Sequence, residues 1–231
     1  MKNIAIIPAR GGSKRIPRKN IKDFLGKPII AYSIEAALKS SVFDEIMVST
    51  DDVEIAEIAK KYGANIPFYR SEELADDKAA TKDVLVDVIN KYKNMGTDFD
   101  YACCIYPCTP FITPFKLKEG FEILLNKKAN SAIPVVKFSY PIQRALKIED
   151  NKLSMISPEN FNICSQDLMP AYHDIGQYYW FKIDKFIEKP VLFSEDAFPI
   201  ITSELEVQDI DTIEDWKIAE MKYRILKENV Q

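Results

Sequence analysis

Short apolar runs alternate with longer amphipathic segments through the first 136 residues, and this alternation constrains the fold more than any other feature. The apolar runs are rich in β-branched and aromatic residues, as buried strands are, whereas the intervening segments carry apolar residues at helical spacing. The predicted strands cover residues 4–7, 45–49, 66–69, 101–106 and 131–136, and the predicted helices cover 28–39, 53–62, 80–92 and 115–126. Such alternation predicts an α/β fold with a mostly parallel sheet flanked by helices.

The pattern changes in segment 137–194, which is rich in aromatic residues and lacks a helical period. It predicts a small lobe of antiparallel strands and loops. The ring-bearing run 178–181 is expected to be a strand whose alternate rings face the core and a dimer surface. A short strand at 199–202 and a closing helix follow. That helix is predicted to face the core with Trp216, Ile218, Met221 and Ile225.

The chain contains no linker, repeat or low-complexity segment, so we predict one domain, 1–231, with an inserted lobe at 137–194.

The 31 basic and 35 acidic residues give a formal charge of −4. So small an imbalance argues against a nucleic-acid partner. No apolar run approaches the roughly 20 residues needed to span a bilayer, which argues against a membrane partner. The chain has four cysteines, and so few favour reduced thiols over a disulfide scaffold. Because reduced thiols are typical of the cytoplasm, we expect a cytoplasmic protein.

A basic, glycine-containing loop, PARGGSKRIPRKN, follows the first predicted strand. Its basic residues are Arg10, Lys14, Arg15, Arg18 and Lys19. Ligands of open α/β folds bind at the carboxyl ends of strands, and exposed amides from Gly11 to Ser13 could cradle phosphate oxygens beside these cations. The alternative is a solvated basic loop. The string matches neither the GxGxxG fingerprint nor the Walker pattern, which argues against a dehydrogenase and a Walker-type ATPase.

This loop, followed by LGKPIIAYSIEAA, resembles the opening of the CMP-sialic acid synthetase (acylneuraminate cytidylyltransferase) family, whose pattern is PARxGSKxxPxKN and then a GKPL-type segment. STDD at 49–52, RSEELADDKAATKDV at 70–84 and DIDTIEDW at 209–216 match in the same order. The resemblance spans nearly the whole chain. Within the family, CCIYPCTPF and PAYHDIGQYYWF are more similar to the pseudaminic acid cytidylyltransferases than to the sialic acid enzymes.

The resemblance implies a Rossmann-like core of the nucleotide-diphospho-sugar transferase type, with a small mixed β lobe that commonly forms a homodimer. It implies that CTP and a nonulosonic acid are the substrates, Mg²⁺ the cofactor, and a CMP-sugar for surface glycan or flagellin glycosylation the product. Catalytic roles are implied for Arg10, Lys19, Asp209 and Asp211. Nucleotide contacts are implied for Ala9, Arg10, Gly12, Ser13, Lys14, Lys19, Asn20 and Arg70.

Asp209 and Asp211 are the metal carboxylates that the resemblance implies. Alternate residues of an extended segment point the same way, so both side chains could converge on one oxygen-seeking cation. The alternative is an acidic helix start in which Asp211 caps the closing helix. Asp51 and Asp52 of the STDD string are interpreted as a helix cap and not as ligands. Arg70 is expected to face the nucleotide or the sugar, with an ion pair to Glu72 or Asp76 as the alternative.

Three residues are candidates for binding the sugar: Tyr106, His173 and Gln177. The sialic acid enzymes usually carry LQPTSPLR where this chain has IYPCTPFI, so Tyr106 replaces a sugar-facing Gln and Ile112 replaces an Arg. This difference argues against ordinary sialic acid. His173 could hydrogen-bond a carboxylate or an N-acyl group, although a lone histidine is often structural. The cysteines are expected to be packing residues and not metal ligands.

The expected activity is therefore cytidylyl transfer to a nonulosonic acid, with pseudaminic acid the leading sugar. The alternatives within the same enzyme class are CMP-N-acetylneuraminate synthetase, CMP-legionaminate synthetase and activation of an eight-carbon sugar acid. From a different class, the chain could be a non-catalytic nucleotide-binding regulator. Retention of Arg10, Lys19, Asp209 and Asp211 argues against that alternative.

Overall fold

A computed structural model describes residues 1–76 and 79–228 of the 231-residue chain. Residues 77–78 of the motif segment 70–84 and residues 229–231 of the predicted domain lie outside the described residues. The strands are β1 (Asn3–Pro8), β2 (Asp23–Phe24), β3 (Lys27–Pro28), β4 (Glu45–Ser49), β5 (Tyr101–Ile105), β6 (Ser131–Lys137), β7 (Leu146–Glu149), β8 (Lys152–Met155), β9 (Tyr172–Asp174), β10 (Tyr178–Lys182) and β11 (Phe198–Ile201). The helices are α1 (Ile29–Ser40), α2 (Val53–Lys61), α3 (Glu72–Ala75), α4 (Thr81–Asn94), α5 (Pro114–Lys127), α6 (Ile183–Glu188) and α7 (Ile213–Glu228).

One sheet forms the centre of the molecule, in the order β11-β6-β10-β5-β1-β4, and β9 also pairs with β6. Strand β1 pairs in parallel with β4 and β5, and β11 pairs in parallel with β6. Strand β10 runs antiparallel between β5 and β6, and β9 is antiparallel to β6. Most strands therefore point the same way, which confirms the predicted mostly parallel sheet flanked by helices.

Helices cover both faces of the sheet, because alternate side chains of β1 pack against helices on opposite faces. Ile7 belongs to a buried cluster that includes Ile34 of α1, whereas Ile6 belongs to a cluster on the opposite face that includes Leu85 of α4. A third cluster holds α7 against the β2–β3 hairpin, with the Phe24 and Trp216 rings 5.5 Å apart at their centroids. None of the helices within 1–76 and 79–228 is both long and apolar enough to cross a bilayer.

Three predictions about elements are wrong. Residues 66–69 form no strand, since the preceding Asn65 forms only an isolated bridge with Met47, and Pro67 lacks the N–H of a ladder donor. The rings of 178–181 are all buried, since β10 lies inside the sheet, so none of them forms a dimer surface. On α7, Trp216 is buried as predicted. The residues predicted to face the core but found exposed are Ile218, Met221 and Ile225.

Segment 137–194 divides into two parts. Strands β9 and β10 belong to the central sheet, whereas β7 and β8 form a separate two-stranded hairpin. The pairs Leu146–Met155 and Ile148–Leu153 lie on one face of that hairpin. Leu146, Ile148 and Leu153 are more than half exposed. The hairpin therefore carries an apolar face that no other part of residues 1–76 and 79–228 covers.

Candidate active site

A cleft of about 660 Å³ opens where β1, β4 and β5 end. Pro8 at the end of β1, Tyr106 after β5 and Gln177 before the antiparallel β10 all line it. The predicted site residues that line this cleft are Arg10, Ser13, Lys14, Lys19, Asn20, Arg70, Tyr106, Gln177 and Asp209. The fold thus brings most of the predicted residues together at the carboxyl edge of the sheet, as expected for an open α/β fold.

Four predicted site residues lie outside that lining. Ala9 is fully buried and its N–H donates to Ser49 O at 2.9 Å, and Gly12 is exposed in the loop. His173 is exposed on β9, with its ring 4.7 Å from that of Phe138. Asp211 is absent from the lining, and its carboxylate pairs with Arg15 and Lys19, which line the cleft. The structure therefore does not bring His173 together with Tyr106 and Gln177, and its contact with the sugar stays a prediction.

The basic loop contributes mainly charged side chains to the cleft, because two of its backbone amides already have hydrogen-bond partners. The Gly11 N–H donates to Asp51 Oδ1 at 3.0 Å, and the Ser13 N–H donates to Gly11 O at 3.1 Å. Two of the three amides that were expected to cradle phosphate oxygens therefore have partners within the chain, and the cradle stays a prediction. Arg10, Lys14, Arg15 and Lys19 line the cleft, whereas Arg18 turns toward Asp52 at the start of α2.

Lys19 ties the basic loop to the segment that carries the two aspartates. Its Nζ donates to Ile210 O at 2.6 Å and lies 3.5 Å from Asp211 Oδ1. Arg15 Nη1 lies 2.7 Å from Asp211 Oδ2. The Ile210 side chain is buried beneath α7, which anchors the segment. Cations and carboxylates from opposite ends of the sequence therefore meet at one end of the cleft.

The helix start after these aspartates is capped by other residues. Thr212 Oγ1 accepts from the Asp215 N–H at 3.2 Å, and Asp215 Oδ2 accepts from the Thr212 N–H at 2.8 Å. This reciprocal pair satisfies the first amides of α7, so Asp211 is not the cap. In contrast, Asp52 caps α2 by accepting from the Ile55 N–H at 2.9 Å, as predicted.

Arg70 is buried in the cleft wall, where Nε donates to Ser49 Oγ at 3.1 Å and Nη2 donates to Ser49 O. Burial lowers the pKa of Arg70 to about 10, which leaves the guanidinium charged at neutral pH. Within residues 1–76 and 79–228, no ion pair joins it to Glu72 or Asp76. Arg70 is thus a buried cation fixed at the end of β4.

A second part of the cleft, called the aromatic end below, is lined by Tyr106, Tyr179 and uncharged polar side chains. Tyr106 Oη lies 3.1 Å from Thr81 Oγ1, and the rings of Tyr106 and Tyr179 meet edge to face at 5.9 Å. Tyr179 in turn donates to Asp174. Burial raises the pKa of Tyr106, so its hydroxyl stays protonated and acts as a hydrogen-bonding group, not as a base. Val84 adds an apolar surface to this wall.

Gln177 and the turn after β5 are also held rigidly. Gln177 is buried, and its side-chain Nε2 donates to Glu206 O at 2.7 Å. Its backbone carbonyl oxygen accepts from the Tyr106 N–H at 2.8 Å. Ser33 Oγ and Thr109 Oγ1 both donate to Tyr106 O. Tyr106 is therefore positioned by backbone contacts on both sides.

Sequence reasoning missed Cys108, Thr81 and Tyr179. Cys108 was predicted to be packing, yet it lines the cleft and its Sγ donates to Asn20 Oδ1 at 3.2 Å. Asn20 Nδ2 donates to Arg10 O at 2.8 Å, so the thiol supports the loop. Burial raises the pKa of Cys108 to about 12, so it is a thiol and not a nucleophile. Its place directly after the central strand is the signal that could have identified it.

The donors present at Asp209 and Asp211 suit Mg²⁺, which binds through one or two protein carboxylates together with substrate phosphates. Asp209 is exposed at the cleft, and Asp211 follows two residues later. Among the residues that the structure describes, no group of three or more His, Cys, Asp or Glu is arranged to hold a metal. A site at this pair would need substrate oxygens to complete the coordination.

Comparisons with known proteins give both similar sequences and a similar fold. The chain is 42% identical over 230 residues to a pseudaminic acid cytidylyltransferase of Campylobacter jejuni, covering 99% of each chain. It is 36% identical over 228 residues to the CMP-N,N'-diacetyllegionaminic acid synthase of Legionella pneumophila, covering 95% of each. The solved structure of CMP:2-keto-3-deoxy-manno-octonic acid synthetase complexed with CTP superposes with a TM-score of 0.70 at 18% identity, covering 99% of this chain and all of the other. That structural likeness confirms the predicted fold.

The family model described as cytidylyltransferase matches residues 4–186. This match includes the basic loop, Arg70 and the Tyr106 wall of the cleft. Together with the full-length relatives, it shows that this chain belongs to the cytidylyltransferase family.

Proposed function

We propose that this protein transfers the cytidylyl group of CTP to a nonulosonic acid, with pseudaminic acid as the sugar. The observation that carries the proposal is one cleft whose lining combines a cluster of cations with a wall of aromatic and uncharged polar side chains. The name of the Campylobacter jejuni relative supports pseudaminic acid, and the name of the Legionella pneumophila relative supports a legionaminic acid as the alternative. The CMP-sugar product would serve surface glycan or flagellin glycosylation.

The cationic end suits a nucleoside triphosphate. Arg10, Lys14, Arg15 and Lys19 line it from the loop, and Arg70 lines it from the end of β4. A triphosphate carries several negative charges, and fixed cations stabilise both its binding and the charge that develops on the leaving pyrophosphate. Phosphoryl transfer depends on positioning and charge neutralisation, so these side chains provide most of what the reaction needs.

The aromatic end suits a sugar acid. Tyr106, Thr81 and Gln177 offer hydroxyl and amide groups, while Val84 and the Tyr179 ring offer apolar surface. In the proposed reaction the anomeric hydroxyl oxygen of the sugar attacks the α-phosphorus in line. The bond from that phosphorus to the bridging oxygen breaks, pyrophosphate leaves with the electron pair, and the hydroxyl loses its proton. Orientation of the sugar against the rigid Tyr106 wall would place the hydroxyl for attack.

Asp209 and Asp211 are the residues that would hold Mg²⁺. When bound, Mg²⁺ would neutralise phosphate charge and lower the pKa of the attacking hydroxyl. Asp211 now pairs with Arg15 and Lys19. If Asp211 acts as a ligand, Arg15 and Lys19 would orient its carboxylate as hydrogen-bonding partners next to the metal.

We also propose that a second copy of this chain covers the β7–β8 hairpin. Leu146, Ile148 and Leu153 form its exposed apolar face, and such a patch is typical of an interface. Light scattering after size-exclusion chromatography should give a dimer for the parent and a monomer for Ile148→Asp. A monomeric parent would contradict this proposal.

The cytoplasm is the proposed compartment. Cys103, Cys104, Cys108 and Cys164 are all free thiols in the structure. Free thiols persist in reducing compartments, whereas secreted proteins usually form disulfides.

Pyrophosphate release from CTP in the presence of Mg²⁺ tests the activity. The acids to be compared are pseudaminic, legionaminic, N-acetylneuraminic and an eight-carbon 3-deoxy acid. We expect the highest kcat/KM with pseudaminic acid. Best activity with legionaminic acid would favour the CMP-legionaminate alternative, and best activity with the eight-carbon acid would refute the nonulosonic proposal. CTP binding without pyrophosphate release on any acid would favour a regulator.

A further inference from the structure

Arg18 differs from the other basic residues of its loop in the direction of its side chain. Arg10, Lys14, Arg15 and Lys19 line the cleft. The Arg18 guanidinium instead reaches the start of α2, where Nη1 and Nη2 donate to the two carboxylate oxygens of Asp52 at 2.5 and 2.9 Å. Nη2 also contacts Glu54. Arg18 therefore joins the loop to α2 and does not face the proposed triphosphate.

The backbone at Arg18 explains how neighbouring side chains point in opposite directions. Arg18 has φ 55°, in the left-handed region, and its carbonyl accepts from the Ile21 and Lys22 amides at 3.0 Å each. This bend begins the short 3₁₀ turn Lys19–Ile21. It places Lys19 and Asn20 in the cleft while the Arg18 side chain points to α2.

A second attachment lies at the other end of the loop. The Gly11 N–H donates to Asp51 Oδ1, and a Cβ added at Gly11 would lie 2.7 Å from Asp52 Oδ2. A side chain at Gly11 would therefore force the Asp52 side chain to shift. Asp52 is fixed in turn by capping α2 through the Ile55 N–H. Both ends of the basic loop are thus attached to the rigid start of one helix.

We propose that Arg18, Asp52 and Gly11 are positioning residues that hold the basic loop in the geometry required to bind a nucleoside triphosphate. The proposal rests on the proposed function, since it assigns a role in binding CTP. Neither Arg18 nor Asp52 touches the nucleotide in this scheme. Exposed ion pairs add little to global stability, so the effect of this pair is expected in the position of the loop.

Two substitutions separate loop positioning from helix and backbone effects. Arg18→Gly removes the guanidinium and keeps a residue that adopts the left-handed backbone without strain. Asp52→Asn removes the charge and keeps a side-chain oxygen that can cap α2. Asp184→Asn is the matched control, because Asp184 begins α6 and pairs with Lys182 at 2.9 Å, outside the lining of the cleft.

Calorimetric titration with CTP should give a Kd raised roughly 10-fold or more in Arg18→Gly and in Asp52→Asn, and unchanged in Asp184→Asn. The double variant Arg18→Gly/Asp52→Asn should bind within about twofold of the weaker single variant, because both changes break one contact. Arg18→Lys should fall between parent and Arg18→Gly, since an ammonium cannot form the bidentate contact. Single variants that bind CTP like the parent would overturn the proposal.

Amide hydrogen exchange gives a readout that does not depend on CTP. We expect amides of residues 11–22 to exchange faster in both single variants, with exchange in α2 unchanged in Asp52→Asn. Unchanged exchange in the loop would overturn the positioning role. If the parent binds no CTP, the proposed function fails, whereas the exchange measurement still decides whether Arg18 and Asp52 hold the loop.

Discussion

The two ends of the cleft are built in different ways. At the cationic end, charged side chains from a loop form ion pairs such as Arg15–Asp211 and Arg18–Asp52, and these are partly exposed. At the aromatic end, Tyr106 and Gln177 lie on strand ends and form neutral hydrogen bonds. Charged side chains supply binding affinity and rate enhancement. A rigid wall of uncharged polar groups discriminates between substrates, because a substrate that lacks the matching group leaves a buried polar group of the wall unpaired, which is costly. The first end therefore suits the part of a substrate that all CTP-dependent enzymes share, and the second suits the part that differs.

The largest effect is expected at Asp209. Replacing it with Ala removes a proposed metal carboxylate, so turnover should fall about 10²- to 10³-fold, by analogy with the loss of one transition-state contact. Steady-state pyrophosphate release at saturating CTP and Mg²⁺ measures the change. Glu214→Ala, in the exposed first turn of α7, is the control that should retain activity. Turnover of Asp209→Ala within twofold of the parent would remove Asp209 from the metal site.

A smaller effect is expected at Lys19. Lys19→Met keeps the aliphatic stem and removes both the charge and the contact with Ile210 O. KM for CTP should rise roughly 10- to 100-fold, and KM for the sugar acid should change much less, because the lost charge faces the triphosphate. The control is Lys22→Met, since Lys22 lies over the Trp216 ring and outside the lining of the cleft. An equal rise in both KM values would show that the two ends are not separate.

At the aromatic end, a substitution should change KM for the sugar acid and leave KM for CTP unchanged. Tyr106→Phe removes one hydroxyl and leaves Thr81 Oγ1 without this partner. A lost neutral hydrogen bond costs about 1 kcal/mol, so KM for the sugar acid should rise roughly 5- to 10-fold while KM for CTP stays constant. Tyr223→Phe, which removes a hydroxyl outside the cleft lining, should leave both unchanged. A larger change in KM for CTP would reverse the assignment of the two ends.

The sequence predicts the strands and helices that carry the site better than it predicts how they pack. Periodicity identifies α7 but not its buried face, because the helix has two apolar stripes. Trp216 and Ala219, with the partly buried Tyr223 and Leu226, form one, and Ile218, Met221 and Ile225 form the other. The large Trp216 ring packs against Phe24, and burial of such a ring outweighs the second stripe.

For the site as well, the sequence predicts which residues take part but not which contacts between distant parts of the chain they make. The family resemblance implies a shared site for Arg10, Lys19, Tyr106 and Asp209, and the structure places all four in the lining of one cleft. The resemblance cannot separate Arg18 from its basic neighbours, because that difference depends on one left-handed backbone angle. Thr81 and Tyr179 lie about 100 residues apart in sequence, and only the tertiary fold brings both to Tyr106.

The smallest expected effect concerns the ion pair that holds the cationic end. The hydrogen bonds from Arg18 lower the pKa of Asp52 from its ordinary 3.8 to about 2. The unfolded chain therefore binds a proton at Asp52 more readily than the folded one. The contribution of this charge to stability is then complete above a pH of about 4 and is lost as the pH falls toward 2. Because Asp52 is partly exposed, that contribution is below about 1 kcal/mol.

Chemical denaturation of the parent and of Asp52→Asn at several pH values isolates this contribution, since all other titrating groups are shared. The parent should be the more stable protein at pH 7. Its advantage should become small near pH 2, where the carboxyl group is protonated in the unfolded chain and about half protonated in the folded one, and the asparagine caps α2 about equally well. A difference that stays constant from pH 7 to pH 2 would show that the charge of Asp52 contributes nothing. The cationic end would then be held by backbone contacts, as the aromatic end is.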